Sequence, residues 1–168
     1  MVLSEGSYYP LKTAADFTDV DPLASILSTL AKVKDPQVRA YFQIILTPAP
    51  RSFTKNLNEK IVKGIKNPDG SYSSHPDQAL LQKKAEKLPL VAAINLAASH
   101  DEVLEELAGS FGIFSHPKGN SLVPKKPNFL NRKKLWQKII ACQPFRSAPV
   151  LNLAEIAALW HLPSGKIN

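Results

Sequence analysis

Two segments of this 168-residue chain alternate in hydropathy with a period of two, and this alternation constrains the fold more than any other feature. Residues 38–47 place Val, Ala, Phe, Ile and Leu on one face and Arg, Tyr, Gln, Ile and Thr on the other, which predicts a half-buried strand. The sequence Pro48-Ala49-Pro50 ends it. Residues 88–98 are mostly apolar on both faces, so this segment is predicted to be an interior strand covered on both sides.

Helical spacing dominates the rest of the chain, and several predicted helices begin at a recognisable cap. Asp21 precedes a proline, a pairing typical of the first turn of a helix. Ser99 stands three residues before Glu102, and Asn152 three residues before Glu155, which are spacings typical of capping boxes. The predicted helices cover residues 22–34, 54–66, 76–87, 99–111, 130–140 and 152–160, and residues 122–123 are a candidate short strand.

These elements predict an α+β fold, because amphipathic helices and strands follow one another along the chain. We expect a two-layer sandwich: a ferredoxin-like small sheet with helices on one face, and further helices at the C-terminal end. The predicted organisation is an extended N-terminal segment (1–20), an α+β domain (21–150) and a short C-terminal helix with a linker (151–168).

The excess positive charge of the chain lies in one stretch. The formal net charge is +7 at pH 7, yet residues 1–106 contain 12 basic and 13 acidic residues. Residues 107–154, the basic stretch, contain eight basic residues and no acidic one. Such a stretch can be a solvated face, can contact nucleic acid through its phosphates, or can bind anionic lipid or an acidic partner. Its candidate contacts to DNA or another polyanion are Lys125, Lys126, Arg132, Lys133, Lys134 and Lys138.

The chain shows no arrangement of residues typical of catalysis. Gly165-Lys166 lacks both the upstream glycine and the following hydroxyl of a phosphate-binding loop. The four histidines are scattered and Cys142 is the only cysteine, so we predict no metal site, no catalytic dyad and no intrachain disulfide. The expectation is a chain that is not an enzyme and needs no cofactor.

Cysteine usage and hydropathy predict a soluble, cytoplasmic chain. A single cysteine fits a reducing compartment. The longest apolar run, residues 88–98, is too short and too broken by polar and proline residues to span a bilayer. The first six residues have neither the basic nor the apolar region of a secretory signal.

Three parts of the chain together resemble a known family. They are the helix start at residues 21–27 with the strand at 38–48 that follows it, the strand at residues 90–99, and the closing segment at 151–163, which ends in Trp160-His161-Leu162-Pro163. In this order they resemble the region that precedes the ATPase domain in coupling-protein-like ATPases of bacterial type IV secretion and conjugative DNA transfer. The resemblance covers most of residues 15–163.

The resemblance implies a non-catalytic accessory or assembly domain that docks on the ATPase domain or subunit of such a machine. It implies that residues 151–168 lead toward an ATPase domain that this chain lacks, and that a partner holds the chain at the inner face of the membrane. An oligomer is compatible with this role. The last helix would be a docking element, with Trp160, His161 and Leu162 as candidate contacts. The alternative is a free-standing, sequence-independent nucleic-acid-binding protein that uses the basic residues of 118–138.

Overall fold

A covered central strand organises the fold, as the apolar character of residues 88–98 predicts. The structure is a computed structural model and describes residues 1–17, 21–144 and 147–161. Its strands are β1 (Val2–Leu3), β2 (Ala40–Pro48), β3 (Ile65–Lys66), β4 (Tyr72–Ser73), β5 (Pro89–Ala98), β6 (Leu122–Val123) and β7 (Val150–Asn152). Its α-helices are α1 (Pro22–Ala31), α2 (Arg51–Lys63), α3 (Gln78–Ala85), α4 (Asp101–Ser110), α5 (Arg132–Ile140) and α6 (Leu153–Leu159).

The main sheet has three antiparallel strands in the order β2-β5-β7. β2 and β5 pair along the whole of β2, from Ala40 opposite Ala98 to Pro48 opposite Leu90. β7 pairs with the other edge of β5 over Pro89–Val91 only, so most of that edge has no neighbouring strand among the described residues. β1 with β6, and β3 with β4, form two small separate sheets.

Helices pack on both faces of the main sheet. Ala92 and Ile94 of β5 share one core with side chains of α1, α4 and α6. Val91, on the opposite face, packs against a second cluster formed with side chains of α2 and α3. Because successive residues of a strand point to opposite faces, a strand that is apolar on both faces buries both. The prediction that this strand is covered on both sides is therefore confirmed.

The α+β class is confirmed, and the finer topology differs from the prediction. The prediction placed the helices on one face of the sheet. They pack on both faces, because β5 is apolar on both. The described strands also do not show a ferredoxin-like order, which interleaves strands from two split β-α-β units. Here the three strands lie in their chain order, because β2 and β5 form one long antiparallel ladder and β7 adds a short strand beyond it.

Local capping agrees with the sequence at two helices and differs at a third. The Asp21 carboxylate accepts a hydrogen bond from the Leu23 amide at 2.9 Å, and the predicted capping box at Asn152 forms. The predicted box of Ser99 is wrong, since α4 is capped by His100 without a side-chain hydrogen bond. The Ser99 hydroxyl instead accepts from the Arg39 amide, which ties the end of β5 to the start of β2.

Helix α2 lies three residues nearer the N-terminus than the predicted 54–66. It ends at Gly64, whose φ of +68° is a left-handed conformation that glycine adopts without strain. The next two residues pair as β3 with β4, and the predicted turn at 67–71 connects these strands.

A buried ion pair joins three distant parts of the chain. Glu155 and Lys84 have fully buried side chains, and the Lys84 ammonium lies 2.6 Å from the Glu155 carboxylate. The same carboxylate accepts hydrogen bonds from the backbone amides of Leu11, at 2.7 Å, and Asn152, at 2.6 Å. Burial lowers the pKa of Lys84, because removal from water disfavours the ammonium, and the Glu155 carboxylate opposes this effect.

A buried asparagine organises the N-terminal segment in a similar way. The Asn120 side chain is fully buried, and its amide oxygen accepts from the Glu5 amide at 2.9 Å. Its amide nitrogen donates to the carbonyl oxygens of Gly6, at 3.0 Å, and Tyr9, at 3.3 Å. Residues 5–9 thus obtain hydrogen bonds from one side chain more than a hundred residues away.

Candidate binding groove

A groove of about 760 Å³ lies along the free edge of β5. α4 forms one wall, α5 with the preceding loop of residues 124–128 forms the other, and the first residues of the chain close one end. This volume is within the range of known ligand pockets. Its apolar lining comes from Val2, Ala93, Ile94, Leu96, Leu104, Ala108, Leu135 and Ile139, and its polar lining includes Asn95, Glu105, Lys125, Lys126, Asn128, Asn131, Lys134 and Lys138.

The edge of β5 inside the groove presents unpaired backbone groups. The Ala92 amide donates to the Pro149 carbonyl, and the Ile94 carbonyl accepts from the Met1 amine. The backbone N–H and C=O groups of the even-numbered residues of β5 therefore point toward this edge. In an antiparallel ladder the same edge then carries the Ile94 amide and both backbone groups of Leu96. No described residue hydrogen-bonds to these three groups. The groove therefore contains the donors and acceptors with which a strand pairs.

Helix α5 is anchored to the sheet near its C-terminal end. The Gln43 side chain on β2 donates to the Ile139 carbonyl at 3.2 Å and accepts from the Asn95 side chain at 3.0 Å. The Trp136 ring meets the Tyr41 ring edge to face, with centroids 6.5 Å apart. These contacts hold α5 on one face of the sheet, while α4 packs on the other, so the β5 edge lies between two helical walls.

The apolar side of α5 lines the groove and does not enter the core. The sequence pattern predicts that Leu135, Trp136, Ile139 and Ile140 point inward. Trp136 and Ile140 are exposed, by 47% and 66%, and α5 has no fully buried residue. Leu135 and Ile139 are half-buried in the wall of the groove. The prediction that all four point into the core is thus wrong, because two of them lie at the surface and the other two face the groove.

Four of the six predicted polyanion contacts meet at the groove. Lys125, Lys126, Lys134 and Lys138 line it, and Lys138 is half-buried. Arg132 and Lys133 are exposed on α5 and are not part of the lining. The six basic residues that the sequence groups together therefore fall into two sets, four that line the groove and two that lie outside it.

One lysine of the groove is paired with an acidic residue of the opposite wall. Lys126 and Glu105 form an exposed ion pair with 2.8 Å between nitrogen and oxygen. The hydrogen bond from Lys126 lowers the pKa of Glu105, and Glu105 raises the pKa of Lys126, so both are charged at neutral pH. Lys125 and Lys134 form no ion pair with the residues that the structure describes. The groove therefore carries an excess of positive charge.

The predicted docking residues at the end of α6 lie away from the groove. The Trp160 side chain is 63% exposed, and its ring lies 6.0 Å from that of Phe42. The His161 ring nitrogen lies 2.9 Å from the Asp21 carboxylate that caps α1. Both residues are therefore attached to the domain, and Leu162 lies outside the described residues.

Sequence reasoning identified the lysines of this site but missed its apolar walls and its floor. Helical spacing predicts a buried face of five residues on α4, and two of the five line the groove instead, Leu104 and Ala108. The other three are Val103, Leu107 and Phe111. The free edge of β5 is invisible in the sequence, because it follows from the shortness of β7.

Neither a metal site nor a membrane-spanning helix is found among the described residues. Within residues 1–17, 21–144 and 147–161, no group of three or more His, Cys, Asp or Glu side chains is placed to hold a metal ion. Over the same residues, no helix is long and apolar enough to cross a membrane. Comparison of the chain with protein-family models, curated proteins and solved structures found no match.

Proposed function

We propose that this chain is a non-catalytic docking module, which binds an extended acidic segment of a partner protein as an added strand on β5. The observation that carries the proposal is the free edge of β5 at the floor of a groove lined by lysines. Addition of a strand to an exposed sheet edge is a recurring mode of peptide recognition, in which backbone hydrogen bonds supply affinity and side-chain pockets supply specificity.

The backbone groups of the groove favour a polypeptide over an apolar anion such as a fatty acid. A hydrocarbon tail would cover the Leu96 amide and carbonyl and leave both without a partner. Each buried group left unsatisfied costs about 1–3 kcal/mol. A polypeptide strand supplies one acceptor and one donor in the required alternation.

The side chains of the groove favour an alternating segment with carboxylates on one face. Apolar residues of the segment would contact Leu104 and Ala108 on α4, and acidic residues on its other face would reach Lys134 on α5. Charge complementarity of this kind sets specificity and association rate more than affinity.

A duplex nucleic acid uses this surface less well. Its phosphates would contact exposed lysines anywhere on α5, and it has nothing to place against an apolar floor and walls. Phosphate contact would also use Arg132 and Lys133 as readily as the lysines of the groove. DNA binding by the basic stretch is therefore the competing outcome of the experiments below.

An ATPase of a secretion or DNA-transfer machine is the partner implied by the resemblance of the sequence. In that case the module would be an accessory or assembly domain, held on the cytoplasmic side of the membrane by its partner. The proposal of strand addition does not depend on this partner, since it depends only on the groove. The partner is tested by co-purification of the chain with such an ATPase.

Filling the groove should weaken peptide binding without loss of stability. Gly109 lines the groove on α4, and a Cβ at this position meets nothing within 4 Å. We expect Gly109→Leu to fill the groove and weaken binding at least tenfold, about 1.4 kcal/mol. The helix should become no less stable, because glycine is the least favourable non-proline residue in a helix interior. The measurement is fluorescence anisotropy with a labelled synthetic peptide that alternates valine with glutamate.

Gly112→Leu is the matched control for this variant. Gly112 is exposed, has equal space around it, and is not part of the groove, so this variant should bind the peptide like the wild type. A peptide that is N-methylated on alternate residues, and one that alternates valine with lysine, should both bind weakly. Equal binding of the peptide by Gly109→Leu and Gly112→Leu would contradict the proposed site.

Two neighbouring lysines distinguish a peptide groove from a DNA-binding face. Lys134 lines the groove and Lys133 does not, although both are exposed on α5. Charge reversal by Lys134→Glu should weaken binding of the acidic peptide about three- to tenfold, and Lys133→Glu should leave it nearly unchanged. The same titrations with an unrelated DNA duplex, at several salt concentrations, provide the comparison. Equal losses of DNA affinity in both variants, with no peptide binding by the wild type, would favour the nucleic-acid function.

A further inference from the structure

The outer edge of β2 is a second free sheet edge, and it lies on the side of the sheet away from the groove. Ala92 and Ile94 of β5 direct backbone hydrogen bonds away from β2, so the residues opposite them, Leu46 and Ile44, direct theirs away from β5. By the same alternation, the backbone N–H and C=O groups of Phe42 also point away from β5. No described residue hydrogen-bonds to the backbone groups of this edge.

The sequence of β2 lacks the usual protection of an exposed edge. Edge strands are commonly protected by charged side chains, bulges or proline. Ala40–Pro48 contains no charged residue, and its one proline is the last residue. Tyr41 and Leu46 are large apolar side chains with exposures of 54% and 44%. In a chain with a net charge of +7, this strand is a notably uncharged surface.

We infer that β2 pairs antiparallel with β2 of a second copy of this chain, which joins the two sheets into one of six strands. With the two-fold axis at Ile44, both backbone groups of Ile44 pair with those of its counterpart, and Phe42 pairs with Leu46 of the second copy. Tyr41 then lies opposite Thr47, an aromatic with a β-branched residue, which is a favourable cross-strand pair. The contact is symmetric, as in most homodimers, and opposes no like charges within the strand.

The pairing favours a second copy over an unrelated strand because both sides of the contact are specified by the same nine residues. Every outward-facing backbone group of Phe42, Ile44 and Leu46 finds a partner in this register. The proline at position 48 falls at the end of the ladder, where a missing amide costs least. The groove at β5 lies on the opposite edge and stays open in the dimer, so this inference is independent of the proposed function.

Removal of one outward-facing amide tests the inference. Leu46→Pro deletes the amide that donates to the second copy, and it keeps the pairing with β5, because proline is tolerated where an edge amide faces solvent. Size-exclusion chromatography with light scattering, under reducing conditions, should give the wild type twice the 18.4 kDa of one chain. It should give the variant a single chain mass, with an unchanged circular dichroism spectrum.

A charge variant and hydrogen exchange make the test independent of the proline. Leu46→Lys should also be monomeric, whereas the matched Val62→Lys, at an exposed position on α2, should remain dimeric. In the wild type, the amides of Phe42, Ile44 and Leu46 should exchange more slowly as protein concentration rises. A wild type that is monomeric at every concentration, dimeric Leu46 variants, or exchange that does not depend on concentration would each overturn the inference.

Discussion

Glu155→Gln is expected to lower the free energy of unfolding by about 3–5 kcal/mol, because it leaves the buried Lys84 ammonium without a counter-charge. The glutamine keeps one oxygen for the Leu11 amide, but the position of Oε2 then holds an amide nitrogen, which cannot accept from the Asn152 amide. The loss therefore combines the unpaired charge of Lys84 with one missing hydrogen bond. A single domain has only about 5–15 kcal/mol of stability in total. Urea unfolding followed by far-ultraviolet circular dichroism measures the effect. Fluorescence is a poorer probe here, since Trp136 and Trp160 are already largely exposed.

The double variant Lys84→Met with Glu155→Gln is the control for this prediction. Replacement of a buried ion pair by neutral groups of similar volume is often close to neutral for stability. The double variant should therefore be more stable than either single variant, and the two substitutions should couple strongly. Additive losses, or a loss below about 1 kcal/mol for Glu155→Gln, would show that the pair carries little of the stability.

Asn120→Ala is expected to cost about 3 kcal/mol, because it leaves several partly buried backbone groups without partners at once. The Glu5 amide and the carbonyls of Gly6 and Tyr9 all lose the same side chain. Chemical unfolding gives the size of the effect. Hydrogen exchange should locate it, because the amides of residues 4–10 should lose protection before the central sheet does.

Two further asparagine variants sharpen this test. Asn128 is exposed, and among the described residues its side chain accepts a hydrogen bond from Asn131 alone, so Asn128→Ala should cost less than about 0.5 kcal/mol. Asn120→Asp should be at least as destabilising as Asn120→Ala at neutral pH, since it places a carboxylate oxygen against two carbonyl oxygens. The folded state raises the pKa of that carboxyl, so the lost stability should return in part as the pH falls. A flat pH profile would argue against the assigned hydrogen bonds.

The elements of this fold that depend on local patterns could be predicted from the sequence. The alternation of β2 and β5 located both strands to within two residues, and the Asp21 and Asn152 caps were correctly identified. The end of α2 was misplaced because its helical spacing continues into β3, and only the pairing of β3 with β4 shows that Gly64 ends the helix. Ser99 failed as a cap because its hydroxyl is used by Arg39, sixty residues away.

Features that depend on distant residues could not be predicted in this way. Lys84 lies three residues after Leu81, on the apolar side of α3, but nothing nearby in the sequence indicates that Glu155 meets it in the core. The apolar stripe of α5 has the spacing of a core helix, and its true place beside a groove depends on how far the sheet extends. The lysines of the groove were found because charge is visible in sequence, whereas the free edge of β5 depends on the length of another strand.

The attachment of Leu11 to Glu155 has a consequence for synthesis on the ribosome. These residues are 144 positions apart, so the amide of Leu11 has no acceptor until the ribosome has added the 144 residues up to Glu155. At about 5–20 residues per second, this delay is about 7–30 s. During that time the nascent chain exposes Leu11 and the other side chains that pack around α6. Chaperones that bind emerging apolar segments are therefore expected to engage the segment around Leu11 before α6 appears.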